Sequence, residues 1–132
     1  LNGIRRLNHL GTNPVHVHLA INNALDYIDW VGIKRKEKRL KELQNHWMQN
    51  LKNIPNVEIN TPLPFTKSFG IGNVGIKNMP PKIMAKKLLD EFKIFTVAID
   101  YANVKGCRIT PNIYSSIDEI EVFIDAIKKL AS

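Results

Sequence analysis

Residues 107–127 read CRITPNIYSSIDEIEVFIDAI, and this stretch decides the class of fold. Cys107-Arg108-Ile109-Thr110 has the short β-favouring pattern of a strand, closed by Pro111. Further on, Ser116-Ile117-Asp118-Glu119 forms a capping box. Ile120, Phe123, Ile124, Ile127 and Leu130 then recur at three- and four-residue spacing, with Lys128 and Lys129 in the last turn, where the helix dipole favours cations. A strand running into a capped amphipathic helix requires a sheet with a helix laid against it.

Outward from this stretch the same alternation of elements continues. Thr12-Asn13-Pro14 predicts a helix start, with a capping side chain and Pro at the first helical position, and Leu19, Ala20, Ala24, Ile28 and Val31 as its inward stripe. Gly32 predicts either a break or a kink. A second amphipathic run, with Leu40, Leu43, Trp47 and Leu51 on one side and Glu37 and Lys41 paired at i,i+4, ends at Pro55. Val57 and Ile59 predict a short strand, residues 69–76 (FGIGNVGI) a glycine-weakened one, and residues 94–99 a third. Pro80-Pro81 opens a helix with Ile83, Met84, Leu88 and Phe92 inward. The expected class is α+β: a long N-terminal helix, or two, then a small antiparallel or mixed sheet covered by helices. No internal repeat or low-complexity tract is present.

The chain has 132 residues, a formal net charge of +7 and 44% hydrophobic residues, enough for one domain with a core. The apolar content excludes disorder, the single Cys107 excludes a disulfide scaffold, and no apolar run reaches the ~20 residues that span a bilayer. Without a secretory h-region the cytoplasm is the expected location. The start at Leu1, without Met or a turn signal, reads as a piece of something longer.

Several motifs suggest chemistry. Gly70-Ile71-Gly72-Asn73-Val74-Gly75 matches GxGxxG, but a dinucleotide site needs a strand before it and a helix starting inside it; here Pro64 to Ser68 precede it and Pro80-Pro81 delays the helix. The expectation is a strand with close backbone approach. Six of the eight residues 34–41 are basic, yet on a helix they point in every direction, which favours a solvated helix start over a nucleic-acid face. His16 and His18 diverge on a helix and have no acidic or cysteine neighbour, so no metal site is expected. Ser115 and Ser116 serve a cap, and no histidine follows them to build a triad. Cys107 beside Arg108 is expected to be a buried structural thiol. Gly11-Thr12, just before a helix N-terminus, is either an N-cap or a phosphate cradle. Arg108, inside an apolar strand, calls for an anionic partner, from another element or from a substrate carboxylate.

The stretch IRRLNHLGTNPVHVHLAINNALDYIDWVGIKRKEKRLKEL (4–43) resembles the junction and long helix of class V aminotransferase-like enzymes, and the closing CRITPNIYSSIDEIEVFIDAI resembles their C-terminal arginine strand, Tyr and capped last helix. The likeness extends from about Ile4 to Ala131, and His9 to Thr12 with Ile109 to Tyr114 look closest to the isopenicillin N epimerase-like branch. The resemblance implies the C-terminal small domain (14–132) of a fold type I pyridoxal 5'-phosphate (PLP) enzyme, preceded by a junction (1–13) from a large domain that carries the catalytic lysine. It further implies a homodimer acting on an amino acid, with no nucleic-acid or membrane partner, and an isolated fragment that is inert. By position, Gly11 and Thr12 match residues that contact the cofactor phosphate, and Arg108 matches the arginine that grips the substrate α-carboxylate. Desulfurase and selenocysteine lyase relatives carry a catalytic Cys on a loop upstream of this arginine, and residues 100–105 contain none. The resemblance therefore favours amino transfer or epimerisation. The alternatives are a desulfurase or lyase relative and a non-catalytic binding or dimerisation module.

Overall fold

A computed structural model describes residues 3, 14–62, 68 and 70–132. The chain divides into two units, residues 1–33 and 34–132. The first contains α1 (Val15–Val31). Pro14 is its N-cap rather than its first helical residue and makes no side-chain cap bond; Thr12 and Asn13 lie outside the described residues. None of its residues is buried, so the expected inward stripe is not a core face. Val15, Leu19, Ile21, Leu25 and Trp30 are all more than half exposed, because apolar side chains fall around the whole circumference rather than on one side. Gly32, at φ 79°, ends the helix and donates its N–H to the Ile28 carbonyl at 2.9 Å, so the chain breaks there rather than kinks.

The second unit runs α2 (Ile33–Leu51), β1 (Val57–Ile59), β2 (Gly72–Ile76), α3 (Pro81–Phe92), β3 (Val97–Tyr101), β4 (Val104–Ile109) and α4 (Ile117–Ala131). The four strands form one antiparallel sheet in the order β1-β2-β4-β3. Since β2 and β3 both run antiparallel to β4, they are parallel to each other, and α3 makes the crossover between them with β4 inserted as the middle strand. This is the α+β arrangement expected, with the helices of this unit on one face.

That face holds the core. Val74 and Ile76 of β2 and Cys107 and Ile109 of β4 are buried against Leu43, Trp47, Met48 and Leu51 of α2, Met84 and Leu88 of α3, and Ile120, Phe123, Ile124 and Ile127 of α4. Trp47 is fully buried, meets Phe123 edge to face at 6.1 Å, and lies over Gly72, where a Cβ would come within 2.5 Å of the indole. The capping box of α4 is formed as expected, Ser116 Oγ accepting from Glu119 N at 3.1 Å and Glu119 Oε2 from Ser116 N at 2.8 Å. Lys41 and Glu37 pair at 2.6 Å on the wet side of α2.

Three expectations need correction. Ile83 is 48% exposed, because the buried stripe of α3 runs Pro81, Met84, Leu88 and residue 83 falls off it. The third strand begins at Val97, not at 94: Lys93, in the left-handed region at φ 60°, closes α3, Ile94 N–H turns back to the Leu88 carbonyl at 2.9 Å, and Phe95 is left exposed. The last strand starts at Val104 rather than Cys107, because Ala102 (φ 48°) and Asn103 (φ 67°) make a two-residue hairpin turn with both central residues at positive φ. Truncating Trp47→Ala should cost about 3–5 kcal/mol of stability, read as a lowered urea midpoint, because the ring joins α2 to both β2 and α4.

Candidate functional site

Period-two alternation along β4 decides where Arg108 goes. Cys107 and Ile109 are buried toward the helices, so Arg108 between them stands on the open face of the sheet and is exposed. The expectation of a partly buried guanidinium is thereby corrected: the strand is apolar on one side only. Among the described residues no carboxylate or hydrogen-bond acceptor engages this guanidinium.

Arg108 borders a cavity of about 360 Å³ on that open face. Asn60, Thr61 and Asn73 form its polar side, and Ile71, Ile99 and Val104 give it aliphatic surface. Among the described residues no acidic side chain and no lysine lines it, so the single formal charge they bring to the wall is the arginine cation. A second cavity of about 280 Å³ on the other side of Arg108 includes Phe95, Thr110 and Glu119, whose carboxylate is committed to the α4 cap. A groove of about 910 Å³ along α2 is lined by Lys34, Lys38, Lys41, Glu37, Glu42 and His46, an alternation of signs. There Lys41 pairs with Glu37 and His46 with Glu121, which leaves a mixed solvated surface rather than a cationic face.

The polar side of the 360 Å³ cavity has no counterpart among the sequence expectations. Asn73 in β2 is paired in register with Arg108. Its backbone N–H donates to Thr61 Oγ1 at 2.7 Å and its carbonyl accepts from Asn60 N at 3.0 Å, so β1 is continued past Ile59 by side-chain and backbone bonds. Asn60 Nδ2 donates both to Asn73 Oδ1 at 2.8 Å and to the Lys105 carbonyl at 3.0 Å. A signal is present: asparagine is depleted in strands, and one between Gly72 and Val74 asks for a reason.

The other candidates fall as follows. Gly11 and Thr12 lie outside the described residues. The GxGxxG string is not a helix start: Gly72 to Gly75 lie in β2, paired on both sides, and backbone approach is close, since a Cβ on Gly75 would lie 2.4 Å from the Lys105 carbonyl. His16 and His18 are both exposed on α1, and no group of three metal-ligating side chains occurs among the described residues. No described helix is long and apolar enough to cross a membrane. Cys107 is fully buried, with its thiol 3.6 Å from the Pro81 carbonyl, and burial pushes its pKa up from the ordinary value, which keeps it protonated and unreactive.

A small antiparallel sheet covered by helices is the α+β arrangement found in fold type I PLP enzymes. Comparison with solved structures bears this out. A cysteine desulfurase from Thermococcus onnurineus superposes with a TM-score of 0.71 at 21% identity, over 80% of this chain and 28% of that one. An alanine–glyoxylate aminotransferase from Nostoc sp. superposes with a TM-score of 0.68 at 20% identity, over 98% of this chain and 34% of that one. By sequence, a cysteine desulfurase from Wigglesworthia glossinidia brevipalpis is 25% identical over 126 residues, 85% of this chain and 28% of its own length. The Aminotransferase class-V family matches residues 3–123, and the chain belongs to that family of PLP enzymes. It spans a little over a quarter of the length of the desulfurases it matches.

The buried thiol has a measurable consequence. Unfolding exposes Cys107, whose pKa then returns to the ordinary 9.0, while the folded thiol stays protonated to higher pH. Above pH 9 the unfolded state therefore releases a proton that the folded state keeps, and stability falls as pH rises through this window. Comparing urea midpoints at about pH 7.5 and pH 10, on either side of the ordinary thiol pKa, the drop should be smaller in Cys107→Ala than in the parent chain.

Proposed function

We propose that this chain is the C-terminal small domain (14–132), with its junction (1–13), of a PLP-dependent enzyme that acts at the α-carbon of an amino acid by amino transfer or epimerisation. The observation that carries the reading is Arg108. Its guanidinium is exposed, meets no anion among the described residues, and stands on the open face of the sheet beside a cavity whose described lining contains no carboxylate. A planar fork presented in this way suits the two oxygens of an α-carboxylate. By holding the carboxylate, Arg108 would fix the rotation of the substrate about its α-carbon and so determine which bond is exposed to reaction.

The cofactor, when bound, supplies an electron sink for charge developing at that carbon. Among the described residues nothing at the Arg108 cavity could anchor it, since no lysine lines that cavity; Gly11 and Thr12 are the residues of this chain assigned to its phosphate, by resemblance. The described part of the chain thus provides the substrate end of the site, and the catalytic lysine would come from a large domain. Homodimerisation and a cytoplasmic location belong to the same proposal.

A second reading, cysteine desulfurase, is favoured by the relatives named above. Against it stand two features of this chain. Its single cysteine is sealed in the core, and β3 and β4 are joined by a two-residue turn in place of a loop that could present a thiol. Sulfur transfer requires an accessible thiolate, and Cys107 offers none. These strands therefore speak against a thiol presented from the described part of the chain, and amino transfer or epimerisation, including the isopenicillin N epimerase-like branch, remains the reading that the resemblance favours.

In the protein joined to its large domain, Arg108→Lys should lower kcat/KM for amino acids by about 30- to several-thousand-fold, because one partner of a charge pair loses its two-point grip. Amines without a carboxylate should be affected much less, and the melting temperature should be unchanged because the side chain is outside the core. Equal losses for both substrate classes would refute the assignment. In the same protein Thr12→Val should weaken cofactor retention on dialysis by about 10- to 150-fold, the value of one hydrogen bond to a charged acceptor; unchanged retention would refute the phosphate assignment of Thr12.

A further inference from the structure

The polar wall next to Arg108 is built in a way that fixes the polarity of one side chain. The Lys105 carbonyl can only accept, so the Asn60 atom 3.0 Å from it must be the amide nitrogen. That nitrogen also lies 2.8 Å from Asn73, so the atom it meets there must be the Asn73 oxygen. The order of the two amides is thus dictated by a backbone group, and the NH2 end of Asn73 is left over, with no acceptor among the described residues. The Asn73 side chain is held down by its surroundings as well. It lies over Gly106, where a Cβ would come within 2.6 Å of Asn73 Oδ1 and 2.3 Å of the Val74 carbonyl. Asn73 and Arg108 are register partners on adjacent strands, and both line the 360 Å³ cavity. Side chains so paired stand about 5 Å apart at their Cβ atoms, within reach of one carboxylate.

We propose that Asn73, oriented by Asn60, is a second carboxylate-binding residue, donating its side-chain N–H to the same carboxylate that Arg108 grips. This rests on the reading of Arg108 given above and extends it. Arg108 contributes charge and a two-point fork, and Asn73, a fixed neutral donor beside it, adds a third point that restricts how the carboxylate sits on the fork. Asn60 is a positioning residue, since among the described residues its side chain bonds to Asn73 and the Lys105 backbone alone. Ile71, Ile99 and Val104 then give the remainder of the ligand an aliphatic surface, so the ligand class is a carboxylate with an apolar substituent.

The test uses the protein joined to its large domain, labelled with 15N in this 132-residue part, and titrated with 3-methylbutanoate and, as a control of the same shape without the charge, 3-methylbutan-1-ol. The expected result is that the Asn73 side-chain NH2 and Arg108 Nε–H resonances shift together along one saturation curve with the carboxylate and not with the alcohol. Asn73→Asp preserves the acceptor for Asn60 and replaces the outward donor by a repelling oxygen, so it should weaken carboxylate binding by about tenfold or more without lowering the melting temperature. Asn60→Ala should weaken it in the same direction by releasing the Asn73 amide. If Arg108 responds but Asn73 does not, and Asn73→Asp binds as the parent does, the inference is overturned while the Arg108 reading stands. If neither resonance responds to the carboxylate, both are overturned.

Discussion

The indole of Trp47 occupies the space that Gly72 leaves by having no side chain, and much of the second unit is arranged around that contact. A Cβ at position 72 would lie 2.5 Å from the ring, so the strand and the helix approach more closely than any other residue would allow. The ring then meets Phe123 of α4 edge to face, which links the first and last helices of the unit through one side chain. Because α2 and α4 are far apart in sequence, this contact closes the chain on itself and fixes which face of the sheet is covered. Everything about the opposite face, including the site, follows from that choice.

On the open face the strands have to compensate for being thin. Gly75 and Gly106 bring β2 and β4 close enough that a methyl group would collide with backbone carbonyls, and there the ladder is completed by asparagine and threonine side chains. The Asn60 amide bridges to the Lys105 carbonyl and Thr61 closes on the Asn73 backbone. These bonds do two things at once. They satisfy polar groups at the end of the short strand β1, and they freeze the neighbours of Arg108 in one orientation. Arg108 thus stands beside a held asparagine amide, with no carboxylate among the described residues of the wall, and the proposed carboxylate site rests on that arrangement.

The placement of the cysteine follows from the pleat. Desulfurases are among the relatives at 21–25% identity, and at that level shared architecture does not transmit chemistry. In this chain residue 107 is one strand position away from the arginine, so the pleat sends it to the other side of the sheet and buries it.

The elements with a strong local signature are legible in the sequence alone: the capped last helix, the Pro80-Pro81 helix start, the i,i+4 pair on α2 and the arginine strand are all written in short-range patterns that local physics obeys. The same holds for rejecting GxGxxG, since the flanking prolines alone forbid a helix beginning inside it. Arg108 is conspicuous for a similar reason, being a guanidinium among apolar neighbours. The direction of that side chain is another matter, because it depends on which face of the sheet the helices cover, and hence on Trp47 of α2 reaching Gly72. Ile83 and the start of β3 escape a sequence reading for related reasons: the burial of α3 is set by its neighbours, and the turn at Lys93 uses a left-handed residue that has no glycine to announce it. The Asn60–Asn73–Lys105 arrangement is wholly tertiary. Its members come from three segments and none is unusual alone; only the register of three strands makes one backbone carbonyl dictate which end of an asparagine faces the cavity.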